Sequence, residues 1–282
     1  MLVIKKISEV KDFIKKAKSD KKTIGFVPTM GYFHKGHLKL MERSKRECDV
    51  TVISIYVNPM QFGVNEDFKN YPKDLERDAV LAEQAGADVL FIPNDAEMYP
   101  KGFNTKVEVG GSLTDKLCGS RRTGHFTGVT TVVLKLLNIV KPDRAYFGEK
   151  DIQQLLVIKK MVVDLNLDVD VVAVKTVREA DGLAMSSRNC YLDSSERKAA
   201  AVLYRALLKA KKAWEEGERG IKKLCDIVSG EILSEPLARI EYVEGYSYPD
   251  LEYLDEARGA TVLALAVKIG KARLIDNIIL ED

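Results

Sequence analysis

Apolar residues recur along the first half of the chain in two alternating rhythms. From Ile7 to Lys18 they fall at Ile7, Val10, Phe13, Ile14 and Ala17, the period of a helix with one buried face. Short apolar, β-leaning runs follow at 23–27, 50–57 and 88–92, with helical stretches near 37–48 and 74–85 between them. A strand over 106–109 precedes a glycine-rich loop, a helix over 127–139, a short strand over 144–147 and a helix over 151–165. The run 169–174 is strongly apolar and is expected at the sheet centre. Strand–helix alternation of this kind predicts an α/β fold, a parallel sheet with helices on both faces. Beyond Arg188 the pattern changes. Asp193-Ser194-Ser195-Glu196 resembles a capping box opening one long helix through Trp214, and a second helix is expected over 220–233. Strands over 238–246, 261–268 and 272–279 complete the chain, the last two forming a hairpin at Gly270. This organisation divides the chain into domains 1–176 and 177–282, the second a smaller α+β domain.

Composition narrows the class. The 282 residues are 46% hydrophobic, enough for a substantial core. Their 44 basic and 42 acidic side chains leave a net charge of +2, which argues against a general nucleic-acid binder. Cys48, Cys118, Cys190 and Cys225 show no CxxC spacing, so neither a zinc site nor a disulfide framework is expected. The N-terminal stretch lacks the apolar run of a signal peptide, and no run approaches the ~18 apolar residues of a membrane span. The expectation is a cytoplasmic protein with no membrane and no nucleic-acid partner.

Candidate chemistry gathers in loops that begin where predicted strands end, the side on which open α/β sheets collect ligands. Pro28-Thr29-Met30-Gly31-Tyr32-Phe33-His34-Lys35-Gly36-His37 joins the first such strand to a helix. A helix N-terminus offers free N–H groups to an anion, and imidazoles at i and i+3 share a side of the first turn. Together they suit a triphosphate whose charge shifts during reaction; the bland alternative is a pair of solvated or capping histidines. Asn58-Pro59-Met60-Gln61-Phe62-Gly63 offers amides to a small polar substrate, or is an ordinary turn. In Gly148-Glu149-Lys150-Asp151-Ile152-Gln153-Gln154, Lys150 can serve a phosphate and Gln154 shares its helix face; the alternative is a capped helix start. Met185-Ser186-Ser187-Arg188-Asn189 offers donors to phosphate oxygens from a loop able to close, or is an interdomain linker. Ser120-Arg121-Arg122-Thr123-Gly124-His125 is either a further anion site or a loop before a Thr127-capped helix. Asp74, Glu76 and Asp78 read as a solvated helix face.

Taken in order, PTMGYFHKGH, YVNPMQF, GHFTGV, YFGEKDIQQ and MSSRN resemble the pantothenate synthetase (pantoate–β-alanine ligase) family of the HxGH nucleotidyltransferase superfamily, over nearly the whole chain. HxGH alone is specific only to the superfamily; the combination is far more specific, with Phe33 standing where many relatives carry a smaller aliphatic residue. The resemblance implies a Rossmann-like N-terminal domain, a smaller C-terminal domain closing over the active site, and a homodimer. It implies ATP-dependent condensation of pantoate with β-alanine to pantothenate, AMP and diphosphate through pantoyl-adenylate, with Mg²⁺ on the phosphates. ATP would be held by Met30, Gly31, Tyr32, Phe33, His34, Lys35, Gly36, His37, Gly148, Glu149, Lys150, Asp151, Val177, Met185, Ser186, Ser187 and Arg188. Pantoate and β-alanine would be held by Gln61, Gln154 and Asn58. His37, as general acid, His34 and Lys150 would carry catalysis. The rival readings are an enzyme that stops at adenylyl transfer and a non-catalytic nucleotide sensor; the paired histidines with Lys150 and Ser186-Ser187-Arg188 speak against the sensor.

Overall fold

The computed structural model describes residues 1–64 and 66–281. Two compact units are present. The first comprises Met1–Val109, Arg122–Glu149 and Val157–Lys175; the second comprises Gly110–Arg121, Lys150–Leu156 and the chain from Thr176 onward.

The chain runs β1 (Leu2–Ile4), α1 (Ile7–Ser19), β2 (Ile24–Thr29), α2 (Lys35–Glu47), β3 (Val50–Ile55), α3 (Leu75–Gln84), β4 (Val89–Phe91), α4 (Asp95–Met98), α5 (Leu117–Arg121), α6 (His125–Val140), β5 (Arg144–Gly148), α7 (Ile152–Asp164) and β6 (Asp170–Val174). In the first unit six strands form an all-parallel sheet in the order β1-β4-β3-β2-β5-β6. Side chains alternate between two covered faces, which explains why its inner strands are mostly apolar and β3 is buried along its whole length. Val27, Ile53, Leu90 and Tyr146 join Met41 of α2 and Ala82 of α3 in one core cluster. Ile24, Phe26, Val52 and Phe91 point the other way and are equally buried, on the side where α1 and α6 pack together. At Gly25 α2 comes so close that a Cβ would sit 2.2 Å from Ser44 Oγ, so a larger residue has no room.

Two strand expectations change, and one strand is added. The run 169–174 becomes β6 at the sheet edge, not its centre; its residues Val171, Val172 and Ala173 are only half-buried. A continuous apolar run shows that a strand is covered, but strand order depends on pairing across the chain. Residues 106–109 form no strand, because their backbone is satisfied by α6: Val107 N–H donates to Thr131 Oγ1 (3.0 Å) and Val107 O accepts from Thr130 Oγ1 (2.5 Å). The short edge strand β1 has no counterpart in the periodicity.

The second unit carries α8 (Ser194–Ala199), α9 (Val202–Glu215), α10 (Ile221–Leu233) and strands β7 (Ala238–Ser247), β8 (Thr261–Ile269) and β9 (Ala272–Leu280). The strands form an antiparallel sheet in that order, packed against α9 and α10. Asp193 and Glu196 form the expected capping box. The helix it opens stops at Ala199, however, and α9 begins at Val202. The backbone there tightens to three-residue bonds, Ala201 N–H to Lys198 O (3.3 Å) and Leu203 N–H to Ala200 O (3.2 Å). Alanines give no local sign of such a break.

Candidate active site

The HxGH segment is held by backbone geometry that the sequence only half discloses. After Thr29, Gly31 and Tyr32 both adopt left-handed conformations, with φ of 86° and 53°. Glycine takes this freely; tyrosine does so only under constraint. The constraint is Asp78 of α3. Its Oδ2 accepts from Tyr32 N–H (2.6 Å) and its Oδ1 from Phe33 N–H (2.7 Å). Arg77 adds an Nη2–H bond to Phe33 O (3.0 Å) and lies over the Tyr32 ring. Asp78 is therefore no part of a solvated face: it is 1% exposed, and burial pushes its carboxyl upward while the two N–H donors pull it back. Asp74 caps α3 by accepting from Arg77 N–H (3.1 Å).

His34 is the N-cap of α2, extended at φ −135°, rather than a residue of its first turn. Its Nδ1 accepts from Gly36 N–H (3.1 Å), and His37 Nδ1 accepts from His34 N–H (3.3 Å), a reciprocal capping box with ring centroids 4.0 Å apart. The capping and functional readings therefore hold together. An Nδ1 that accepts a backbone N–H leaves the ring proton on Nε2, so both imidazoles are Nε2–H donors fixed at a helix start. Phe33, 1% exposed, packs its ring 5.5 Å from that of His37. Beside Met30, Gly31 and Tyr32 lies a cleft of about 260 Å³, also lined by Tyr56, Asp78 and Asp95, beyond the carboxyl ends of β2, β3 and β4.

The structure brings Asn58 and Gln61 together with this segment and distinguishes their roles. Asn58, 1% exposed, has four partners: its Nδ2 donates to Gln61 Oε1 (3.0 Å) and Gly128 O (3.0 Å), and its Oδ1 accepts from Met60 N–H (3.3 Å) and Tyr99 O–H (2.8 Å). With both donors and both lone pairs engaged, Asn58 has nothing left for a substrate, contrary to its expected place among the ligand contacts. It orients Gln61 instead. Gln61 Oε1 faces Asn58 and its Nε2 lies 3.3 Å from Met30 Sδ, so the amide presents N–H donors on the Met30 side.

Gly148 ends β5 and Glu149 opens the 3-10 turn after it, both in the first unit; Lys150, Asp151 and Gln154 belong to the second. Lys150 Nζ lies 3.7 Å from Asp151 Oδ1. Gln153 is internal: it takes Cys118 N–H (2.9 Å) and donates to Leu113 O (2.9 Å) and Lys116 O (2.8 Å), leaving Gln154, one position on, as the ligand candidate of the pair. Val177 and Met185 face each other in a short hairpin through Met185 N–H to Val177 O (3.0 Å). Ser186 caps the following 3-10 turn by accepting from Arg188 N–H (3.2 Å), and Ser187 is buried. Within the second unit a polar network ties Lys150 to Arg178, next to Val177. Lys150 O accepts from Asn277 Nδ2 (3.0 Å), Asn277 N–H reaches Asp276 Oδ1 (2.8 Å), and Asp276 grips Arg178 through two bonds of 2.6 and 3.0 Å. Arg178 also donates to Gly182 O and lies 3.6 Å over the Tyr204 ring. The sequence does carry a signal for this network: Asp276-Asn277 interrupts the apolar run of β9.

Among the described residues no group of three or more His, Cys, Asp or Glu side chains is placed to hold a metal ion, and no helix is long and apolar enough to cross a membrane. The family model described as pantoate-beta-alanine ligase matches residues 2–279. The chain is 61% identical to the pantothenate synthetase of Pelotomaculum thermopropionicum over 280 residues, covering 99% of each chain. It is 56% identical to that of Caldicellulosiruptor saccharolyticus over 281 residues, covering 100% of each. Among solved structures, the pantothenate synthetase of Thermus thermophilus superposes with a TM-score of 0.95 at 45% identity over 100% of both chains. The pantoate-beta-alanine ligase of Francisella tularensis, complexed with Beta-gamma ATP and Beta-alanine, gives 0.84 at 33% identity, over 100% of this chain and 98% of that one.

Proposed function

We infer the reaction and its residues from one premise: the chain belongs to the pantoate–β-alanine ligase family. The enzyme condenses pantoate with β-alanine at the expense of ATP. A pantoate carboxylate oxygen attacks the α-phosphorus, the bond to diphosphate breaks, and pantoyl-adenylate forms. The β-alanine amine then attacks the acyl carbon, the bond to AMP breaks, and the amine gives up a proton as the amide of pantothenate forms.

The observation that carries this reading is the clamped HxGH segment. Negative charge grows on the departing diphosphate, and donors fixed beforehand stabilise it without reorganising at the moment of reaction. His34 and His37 supply Nε2–H groups to that charge, His37 as a hydrogen-bond donor to the leaving group. Met30 to His37, Gly148 to Asp151, Val177 and Met185 to Arg188 bind ATP, with Lys150 acting on phosphate oxygens as a point charge. Gln61 and Gln154 hold pantoate. Mg²⁺ enters on the phosphates of ATP: it is a hard cation that prefers oxygen, whereas the donors of the HxGH segment are nitrogens. Of the residues assigned to ATP, Val177 and Met185 to Arg188 come from the proposed domain 177–282. The enzyme works as a cytoplasmic homodimer; four cysteines without a disulfide among the described residues fit a reducing compartment.

Mixing the enzyme with Mg·ATP, pantoate and β-alanine and resolving the products tests the reading. AMP and diphosphate form only with pantoate present, and β-alanine is needed for turnover but not for the adenylate. ADP or free phosphate as primary product excludes the mechanism. Sedimentation at micromolar concentration checks the dimer.

A further inference from the structure

The third histidine of the chain lies behind Gln61. His125, the first residue of α6, is buried, and its Nδ1 is 2.8 Å from Gln61 O. Its Nε2 is 2.9 Å from Arg122 Nη1. A guanidinium can only donate, so Nε2 is the acceptor, and the ring proton sits on Nδ1, where it is donated to the Gln61 carbonyl. Arg122 is held in turn by Glu66, through Nε to Oε1 (2.7 Å) and Nη2 to Oε2 (2.6 Å), and its Nη2 also reaches Gln61 O at 3.3 Å. The Glu66 carboxylate, resisted by burial but stabilised by Arg122, stays below its usual range. The Gln61 amide itself is fixed from the other side by Asn58, as described above. Both ends of one residue are thus tied down by buried polar groups, although a 3-10 turn of three residues needs only one N-cap to form.

We propose that His125, braced by Arg122 and Glu66, is a positioning residue for Gln61: its Nδ1–H holds the Gln61 carbonyl so that the side-chain amide presents its N–H donors to the oxygen atoms of pantoate. The proposal rests on the assignment of Gln61 to pantoate. It absorbs the Arg122–His125 loop, which is otherwise a candidate anion site: Arg122 is spent on a carboxylate and an imidazole within the protein.

Steady-state kinetics on His125→Phe, His125→Asn, Glu66→Gln and Gln61→Ala, alone and with His125→Phe combined with Gln61→Ala, test the proposal. Phenylalanine keeps a planar ring and removes the donor; asparagine places an amide N–H near the former Nδ1. His125→Phe should raise KM for pantoate about tenfold, the scale of one lost hydrogen bond, with KM for ATP within about twofold of the parent. His125→Asn should recover most of that loss, which a space-filling role of the ring does not predict. In the Gln61→Ala background, His125→Phe should add nothing. If His125→Phe does not fold, Glu66→Gln carries the same test through Arg122, with a smaller rise in the same constant. The proposal is overturned if pantoate and ATP constants rise together, if asparagine is no better than phenylalanine, or if the two losses multiply in the double variant. If Gln61→Ala itself leaves KM for pantoate unchanged, the assignment of Gln61 fails; a rise with Gln61→Ala but none with His125→Phe or Glu66→Gln removes this proposal alone.

Discussion

At the scale of single residues, mutation can separate the structural duty of Asp78 and His34 from the catalytic duty proposed for the HxGH segment. Asp78→Asn replaces one acceptor oxygen by an NH₂ group, so either Tyr32 or Phe33 loses its partner beside a left-handed backbone. A buried N–H left unpaired costs about 1–3 kcal/mol. The expected result is a lower unfolding midpoint together with about tenfold slower adenylate formation, read by denaturant titration and single-turnover kinetics. His34→Ala removes an N-cap worth about 0.5–2 kcal/mol as well as an Nε2–H donor, so both stability and rate fall, the rate by about 10²–10³-fold. His34→Asn restores the cap and not the donor. Stability should return while adenylate formation stays slow; recovery of both would reduce His34 to a cap. Lys150→Ala should slow adenylate formation and spare pantoate affinity, whereas Gln61→Ala should weaken pantoate by about 1–3 kcal/mol and spare ATP, a contrast that calorimetric titration of each ligand resolves.

Between elements, α6 lies against the backbone of the 3-10 turn that carries Gln61. A Cβ on Gly128 would lie 2.3 Å from Met60 O and 2.7 Å from Gln61 Cα, backbone atoms that no side-chain rotation can clear. Gly128→Ala must therefore move the turn or the helix, at an overpacking cost of about 1–3 kcal/mol. Its carbonyl also accepts from Asn58 Nδ2, so the same displacement disturbs the Gln61 amide. A fall in the denaturant midpoint accompanied by a raised KM for pantoate is the expected outcome; a stable variant with parental kinetics would mean the contact relaxes at no cost.

For the whole molecule, pH dependence follows from carboxylates held below their usual range. Hydrogen bonding to Arg197 leads this for Asp181, to Arg205 for Glu231 and to Ser195 for Asp193; in Glu66 and Glu241, burial opposes it and the arginine partners prevail. A lowered folded pKa contributes stability that is present above the unfolded value, about 4, and is lost as pH falls through the folded value. Asp78 has the opposite sign, since its raised carboxyl favours folding as pH falls. The lowered carboxylates outnumber it and make the thermal midpoint fall between about pH 5 and pH 3, a decline that melting curves across that interval measure. A midpoint that held level to pH 3 would show that these ion pairs contribute nothing net.

What the linear chain determines here is what depends on neighbours within a turn or two. The helix periods, the apolar strands, the capping box at Asp193 and the contiguous HxGH segment are local, and each is legible because its physical cause lies within a few residues. The order of strands is not local, so the apolar run of β6 could not reveal that it pairs on one side only. Nor could sequence separate Asp78 from Glu76 on a charged helix, or show that Asn58 is spent inside the protein while Gln61 is presented. Those distinctions arise when Asp78 meets Tyr32 and Phe33 across 45 or 46 positions, and when Asn58 meets Gly128 across 70. Tertiary structure decides them because a buried polar group must find its partners wherever the packing brings them.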